Sequence, residues 1–157
     1  MKKIIVLSFF ALWSSISMAG DKEEEYIREM YGLSIGLHHI KDRVDDNRSI
    51  FYNYSNDKIK SLLDRDSTHH DKTGDVDCMG YVVMWQGQDF DINAPLAYTT
   101  IGKDKVKVEI ADSEWVEGRS VTYQVQCKGD KCEIVEVYED GKPFTKELEA
   151  CLKNNGI

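Results

Sequence analysis

Three runs of residues between Lys105 and Tyr138 predict β-strands. They are KVKVEI at 105–110, SVTYQVQC at 120–127 and CEIVEVY at 132–138. Apolar and polar residues alternate in the first two runs, which is the period of a strand with one buried face. Turn residues separate the runs. The segment therefore predicts an antiparallel meander with one face against the core.

The turn between the second and third runs predicts a hairpin closed by a disulfide. Gly129 and Asp130 supply the reversal of a four-residue loop, so Cys127 and Cys132 face each other. This bond would contribute roughly 2 kcal/mol in the chain-entropy estimate. Zinc binding is the alternative, but a zinc site normally uses two close cysteine pairs or added histidines. We therefore expect a disulfide here and no metal site.

The third run contains an irregularity. Ile134 and Val135 are adjacent, so the alternation shifts by one residue. Either a bulge lies there, or the strand is central and covered on both faces. The pattern leaves both alternatives open.

The first 19 residues have the pattern of a secretory signal peptide. They begin with MKK, continue with an apolar run at 4–13 and end with the small-residue pattern SMA at 17–19. About ten apolar residues are too few to cross a bilayer. Cleavage after Ala19 would leave residues 20–157 as a single α+β domain, in the periplasm or outside the cell.

Such a compartment is oxidising, so the four cysteines are expected to form disulfides. With Cys127 bonded to Cys132, Cys78 is left to pair with Cys151. The second bond would close a loop of about 74 residues and contribute roughly 4 kcal/mol by the same estimate. It would tie the C-terminal segment to the middle of the chain.

The chain is acidic, with 28 Asp and Glu, 20 Lys and Arg, and a formal net charge of −8. Two of the lysines are in the predicted leader, so the mature chain is more acidic still. An anionic surface repels nucleic acid and anionic lipid head groups. We expect no nucleic-acid partner and no membrane insertion after leader cleavage. A basic protein or a cationic ligand is the complementary partner.

Helical patterns flank the strands. A second helix is predicted from Asp57 to Asp64, residues 65–75 are predicted to form the longest surface loop, and a short helix ends the chain at Thr145–Lys153. In the N-terminal helix, glycines at 32 and 36 either permit close packing on the sheet or end the helix early at the second glycine. The apolar stripe that predicts this first helix consists of Tyr26, Met30, Leu33 and Leu37.

This order of elements indicates an α+β fold, with a curved antiparallel sheet and N-terminal helices packed on one face. A curved sheet with a long helix across it forms a cone with a mouth. Several segments also carry a resemblance, namely Tyr26–Leu37, Tyr54–Asp57, Asp75-x-Asp77, Gln88–Phe90 and the three strand runs. On these segments the chain resembles a family of bacterial secreted domains of unknown function. Several of its members have the cystatin-like or nuclear-transport-factor-2-like cone, so the resemblance implies a fold and a compartment but no activity.

Four carboxylates are the candidates for chemistry. Asp75 with Asp77, and Asp89 with Asp91, form i, i+2 pairs, and on strands this spacing points both members to one face. Each pair could bind a hard cation or work as an acid and a base. In the structural alternative, the first pair caps a loop while Gln88 and Asp89 bond to backbone at a strand entry. We expect the structural role, because the central glycine of a calcium loop is absent.

Aromatic residues in the middle of the chain could line the mouth of the cone. Most of them are expected to pack in the core, and Trp85, beside a Gln-Gly-Gln turn, is expected to be exposed. The histidine pairs at 38–39 and 69–70 are expected to be solvated, since adjacent side chains point in different directions. The aromatic set is Tyr81, Trp85, Phe90, Tyr98, Trp115 and Tyr123.

No motif specifies a reaction, and no cofactor is expected. The leading hypothesis is a non-catalytic periplasmic protein that binds another protein, specifically an immunity or inhibitor protein that neutralises a toxic enzyme. The alternative is a small-molecule binder or hydrolase that uses the cone interior, with Asp77 and Asp89 as anchors. A structural component of an envelope assembly is a third hypothesis. The expected contact residues are Asp75, Asp77, Trp85, Gln88, Asp89 and Asp91.

Overall fold

The computed structural model describes residues 21–41, 46–74 and 78–157, and the predicted leader lies outside them. Those ranges contain four α-helices and a five-stranded antiparallel sheet, so the α+β prediction is confirmed. The helices are α1 (Asp21–Lys41), α2 (Asp46–Tyr54), α3 (Asp57–Thr73) and α4 (Phe144–Asn154). The strands are β1 (Leu96–Ile101), β2 (Lys105–Ile110), β3 (Arg119–Lys128), β4 (Lys131–Glu139) and β5 (Lys142–Pro143). None of the described helices has both the length and the apolar character needed to cross a bilayer.

The sheet is a meander in the order β1-β2-β3-β4-β5, as the alternating runs predict. One face is buried, because alternate residues of a strand point to the same side. The shifted alternation in β4 is a bulge, because the register with β3 skips Val135 between Ile134 and Glu136. The buried residues of the sheet are Val106, Val108, Ile110, Val121, Tyr123, Val125, Ile134 and Val137.

Both predicted disulfides are present, Cys127 with Cys132 and Cys78 with Cys151. The first closes the β3–β4 hairpin, whose turn has two residues, beginning with Gly129, and not the four predicted, because Lys128 and Lys131 also pair. Gly129 has a φ of 62°, a conformation that glycine adopts without steric cost. The second disulfide ties α4 to the segment that follows α3.

The helix α1 differs from its prediction in length and in the face that it buries. It continues past Gly36 to its end at Lys41, and a Cβ added at Gly36 would meet no neighbouring group within 4 Å. Neither expected role of this glycine is therefore confirmed. Leu33 of the predicted stripe is 44% exposed. The buried residues of α1 are Ile27, Met30, Tyr31 and Ser34.

The long loop predicted at residues 65–75 is wrong, because α3 continues to Thr73. This extension carries Asp66, whose buried carboxylate accepts hydrogen bonds from the backbone N–H groups of Cys78 and Met79. The first of these bonds is 2.8 Å long. The end of α3 thereby holds the start of the segment that leads to the candidate site.

Helices and sheet share one hydrophobic core. The helix α1 contacts β1, β2 and β3, while α2, α3 and α4 contact β4. The α2–α3 connection also meets the edge of β4, where the Asn56 N–H donates to the Ile134 carbonyl at 2.9 Å. In the centre, the Tyr31 hydroxyl donates to the Met84 carbonyl and accepts from the Tyr123 hydroxyl at 3.0 Å. The core therefore reaches from α1 across the sheet to the segment that precedes β1.

Candidate functional site

Three of the predicted contact residues lie together at one end of the sheet. Gln88, Asp89 and Asp91 line a surface groove of ≈ 710 Å³. His38 of α1 and Trp115 of the β2–β3 connection line the same groove. The groove thus joins the C-terminal part of α1, the segment before β1 and the β2–β3 connection.

Trp115 is the exposed aromatic residue of the described chain, with 79% of its surface accessible. The turn that carries it is closed by Ser113, whose Oγ accepts from the Val116 N–H at 3.3 Å. The Ser113 N–H in turn donates to the Val116 carbonyl at 2.9 Å. The Asp112 carboxylate accepts from the Gly118 N–H at 2.5 Å and closes the whole connection. Trp115 is therefore presented to solvent on a turn that is already ordered.

The predicted exposure of Trp85 is wrong, because its side chain is only 1% exposed. It ends a short 3₁₀ helix at residues 83–85, all of which are buried. The indole N–H donates to the Ser34 hydroxyl at 3.0 Å, and the indole stacks on Phe90 with 5.2 Å between ring centroids. The interior offers the indole both apolar contact and a hydrogen-bond acceptor. Trp85 thus supports the groove from below through Phe90, which lines it.

Arg119, the first residue of β3, fixes the loop that carries Gln88 and Asp89. Its guanidinium donates to the Gln86 carbonyl at 2.5 Å and to the Asp89 carbonyl at 3.4 Å. The guanidinium passes so close to Gly87 that an added Cβ would lie 1.8 Å from Nη1. Glycine at 87 therefore permits the contact that holds this loop against the sheet.

The two aspartates of the groove have different roles. Asp91 accepts a hydrogen bond from the Asn93 N–H at 2.9 Å, so it holds a turn, a role that the sequence pattern does not assign to it. The Asp89 carboxylate is exposed, and within the described ranges it forms no side-chain hydrogen bond or ion pair, so the expected hydrogen bond from Asp89 to backbone is wrong. Neither residue lies on a strand, so the shared face that this spacing gives on strands does not apply to this pair. The other pair, Asp75 and Asp77, lies outside the described residues.

Gln88 and His38 complete the polar lining of the groove. The Gln88 amide donates to the Gly80 carbonyl, which is again the structural role. His38 is half-buried rather than solvated, and its Nδ1 is shielded from solvent without a hydrogen-bond partner in the described part of the chain. Shielded polar atoms nearly always have a partner. Within the described ranges, the groove-lining His38 therefore has a shielded ring nitrogen whose hydrogen-bonding capacity is unused.

The covered face of the sheet is filled by core side chains. Tyr31 and Tyr123 are fully buried there, and burial raises the pKa of both phenols well above the ordinary value of 10.0. Protonated phenols in this environment stabilise packing through their hydrogen bond and do not act as bases near neutral pH. Asp89, the expected anchor of an interior site, lines the surface groove.

Across residues 21–41, 46–74 and 78–157, no group of three or more His, Cys, Asp or Glu side chains is arranged to hold a metal ion. Comparison with protein-family models, curated proteins and solved structures finds no match for the chain. The role of the groove is therefore argued from its own residues.

Proposed function

We propose that the mature chain is a non-catalytic protein-binding domain of the periplasm or the extracellular space, which binds a basic partner at the groove around Trp115. In its specific form, the chain is an immunity or inhibitor protein that neutralises a toxic enzyme. One observation carries the proposal. Trp115, with 79% of its surface exposed, stands on an ordered turn in the same groove as the Asp89 carboxylate, which has no partner among the described residues.

An exposed indole favours protein binding for two reasons. Tryptophan buries a large area on contact and has few rotatable bonds, so it often dominates the energy of an interface. Here the hydrogen bonds of Ser113 and Asp112 have already ordered the backbone around Trp115, so little ordering remains to oppose binding. Truncation of such an anchor typically costs about 2 kcal/mol or more of binding free energy.

The expected charge of the partner follows from the groove and from the whole chain. Asp89 and Asp91 line the groove, and the chain has a formal net charge of −8. A lysine or arginine of the partner can pair with the Asp89 carboxylate and lie over the Trp115 ring. Charge complementarity of this kind also accelerates association.

The compartment and the finer fold belong to the same proposal. Residues 1–19 have the pattern of a signal peptide, and two disulfides suit an oxidising compartment. For the fold we propose the cystatin-like or nuclear-transport-factor-2-like cone, with α1 across a curved sheet. The contacts of α1 with β1, β2 and β3 support this arrangement.

Capture followed by titration tests the function. Immobilised chain 20–157 is exposed to periplasmic extract and to the secretions of competing strains, and each retained protein is purified and titrated calorimetrically. We expect Trp115→Ala to weaken binding about 30-fold, which corresponds to about 2 kcal/mol. Asp89→Asn should weaken it several-fold, with a smaller effect at high salt. Loss of the retained protein's enzymatic activity on binding supports the immunity role.

Asp130→Asn is the matched control for the charge change. Asp130 is an exposed carboxylate in the β3–β4 turn, at the opposite end of the sheet from the groove. The Asp130→Asn variant should bind the partner with the affinity of the wild type. Equal affinity of the wild type and Trp115→Ala would contradict the assignment of the groove. If the immobilised chain retains no macromolecule from either source, the proposed function itself is contradicted.

A further inference from the structure

The two edges of the sheet differ in what lies beside them. At one edge, β4 is covered by the α2–α3 connection through the hydrogen bond from Asn56 to Ile134, and β5 pairs with its last residues. At the other edge, β1 pairs with β2, and no strand of the described ranges lies on its outer side. The outer edge of β1 therefore presents backbone groups that another strand can pair with.

The direction of these backbone groups follows from one hydrogen bond. Ala111 donates its N–H to the Pro95 carbonyl at 3.0 Å, which makes these two residues a hydrogen-bonded pair. Such pairs alternate with non-hydrogen-bonded pairs along an antiparallel ladder, and the register continues without a break from Leu96 opposite Ile110. Leu96 and Tyr98 thus belong to non-hydrogen-bonded pairs. Their N–H and carbonyl groups point away from β2, toward the outside of the sheet.

The strand β1 lacks the features that usually protect a sheet edge. Its sequence, LAYTTI, has no charged residue and no proline, and its register with β2 has no bulge. Ala97, Thr99 and Ile101 are exposed on the open face of the sheet. On the covered face, the Arg28 guanidinium of α1 lies 4.1 Å from the centroid of the Tyr98 ring. The strand itself is thus uncharged, regular and accessible from the open face, while Arg28 and Glu24 of α1 contact Tyr98 and Thr100 from the covered face.

We propose that the partner adds an extended segment rich in lysine or arginine to the outer edge of β1. The inference rests on the proposed function, and it specifies how the basic partner is held. Asn93 lines the groove of Trp115, and β1 begins three residues later. A strand laid along β1 therefore extends into the groove, where it brings a basic side chain to Asp89. Backbone pairing then supplies affinity, and the groove supplies selectivity.

A second copy of the chain suits this edge less well than a basic partner does. Two copies would bring together two molecules that each carry a formal net charge of −8. That arrangement is opposed by repulsion, whereas a basic segment is attracted to the same surface. The occupant of the edge is therefore expected to be a different, basic chain.

Amide hydrogen exchange of chain 20–157, followed by NMR, tests this mode of binding. The probe is a synthetic peptide of alternating lysine and valine. We expect it to slow exchange at Leu96 and Tyr98 by at least about tenfold, because their N–H groups become hydrogen-bonded. Ala97 and Thr99 are internal controls, since the ladder directs their N–H groups toward β2. Peptides with a central proline, or with glutamate in place of lysine, should give no protection.

The outcomes separate this inference from the proposed function. Binding that perturbs Trp115 and Asp89 but leaves Leu96 and Tyr98 unprotected would overturn pairing at the edge and leave the groove proposal intact. Protection of these amides in the free chain, with a dimer in sedimentation, would assign the edge to a second copy and overturn the inference. Failure of the lysine peptide to slow exchange would also overturn it. Asp89→Asn should weaken peptide binding several-fold yet keep the same protected amides at saturation.

Discussion

Trp85 and Trp115 both lie in connections between the α-helices and β-strands, and their surroundings are opposite. Trp85 is fully buried, donates to the Ser34 hydroxyl and meets the Tyr31 ring edge-on with 5.4 Å between centroids. Trp115 is 79% exposed, and its indole has no hydrogen bond or ring contact within the described ranges. Trp85 therefore contributes to the stability of the core. Trp115 adds little to packing within the described chain, which supports the proposal that it contacts another molecule.

Truncation of the two tryptophans should separate these roles most clearly. Trp85→Ala removes a fully buried indole and should lower the free energy of unfolding by about 3–5 kcal/mol. Trp115→Ala should change it by less than about 0.5 kcal/mol, because exposed side chains contribute little to packing. Urea unfolding followed by circular dichroism measures both. Similar losses in the two variants would mean that Trp115 is a packing residue.

The two disulfides differ in the same way, since one anchors the segment that leads to Trp85 and the other closes a hairpin turn at the end of the sheet away from Trp115. Cys78–Cys151 anchors the segment that continues to Trp85, and its cysteines are 73 residues apart in sequence, against 5 for Cys127–Cys132. Double replacement by serine should lower the free energy of unfolding by about 4 kcal/mol for the first bond and about 2 kcal/mol for the second. Thermal unfolding at matched pH compares the two variants. A greater loss from the hairpin bond would contradict the chain-entropy explanation.

Unfolding at alkaline pH tests the burial of the core tyrosines. Burial raises the pKa of Tyr31 well above 10.0. Burial is also the largest cause of the raised pKa of Tyr26, which is about 12. Unfolded phenols ionise near pH 10, so above that pH the unfolded state has lost protons that the folded state keeps. The free energy of unfolding should therefore be unaffected by these groups below about pH 10 and fall as the pH rises beyond it. Phenolate absorbance should appear together with loss of circular dichroism. Full ionisation of a still-folded chain near pH 10 would contradict the burial of these phenols.

The smallest expected effect on the free energy of unfolding comes from a substitution in α1 near its groove residue His38. Gly36 is interior to this helix, two residues before His38, and a Cβ there has open space around it. Gly36→Ala should raise the free energy of unfolding by about 0.5–1 kcal/mol, because alanine loses less conformational entropy in a helix. Partner affinity should not change. Weaker binding by this variant would show that the groove uses flexibility of α1.

The sheet could be predicted from sequence because its strands alternate regularly between buried and exposed positions. The period is visible in β2 and β3 without knowledge of any distant contact. The second half of α3 gives no such signal. Its buried residue is Asp66, which is held by the backbone of Cys78 and Met79, and an apolar pattern cannot reveal a buried carboxylate. The sequence pattern therefore predicts that this helix ends at Asp64, whereas it ends at Thr73.

The candidate site could be predicted only in part. Gln88, Asp89 and Asp91 of the groove are among the residues that the sequence predicts, but His38 and Asn93 are not, and the sequence pattern predicts the wrong tryptophan at the surface. A signal was present, since Trp85 follows the apolar run VVM at 82–84, whereas Trp115 lies between Glu114 and Val116 in a connection rich in acidic residues. The remaining determinants are tertiary. Arg119 holds the groove loop through contacts between residues about 30 positions apart, and no local pattern encodes these.

The emission of Trp115 during titration with a purified partner tests the binding role most directly. The chain has three tryptophans, of which one is in the predicted leader, so a Trp85→Phe variant of chain 20–157 retains only Trp115. We predict long-wavelength emission and efficient acrylamide quenching in the free chain. On saturation, the emission should move to shorter wavelength and the quenching should fall, because the partner covers the indole. A partner that binds to saturation while the emission and quenching of Trp115 stay unchanged would contradict the assignment of this groove as the binding surface.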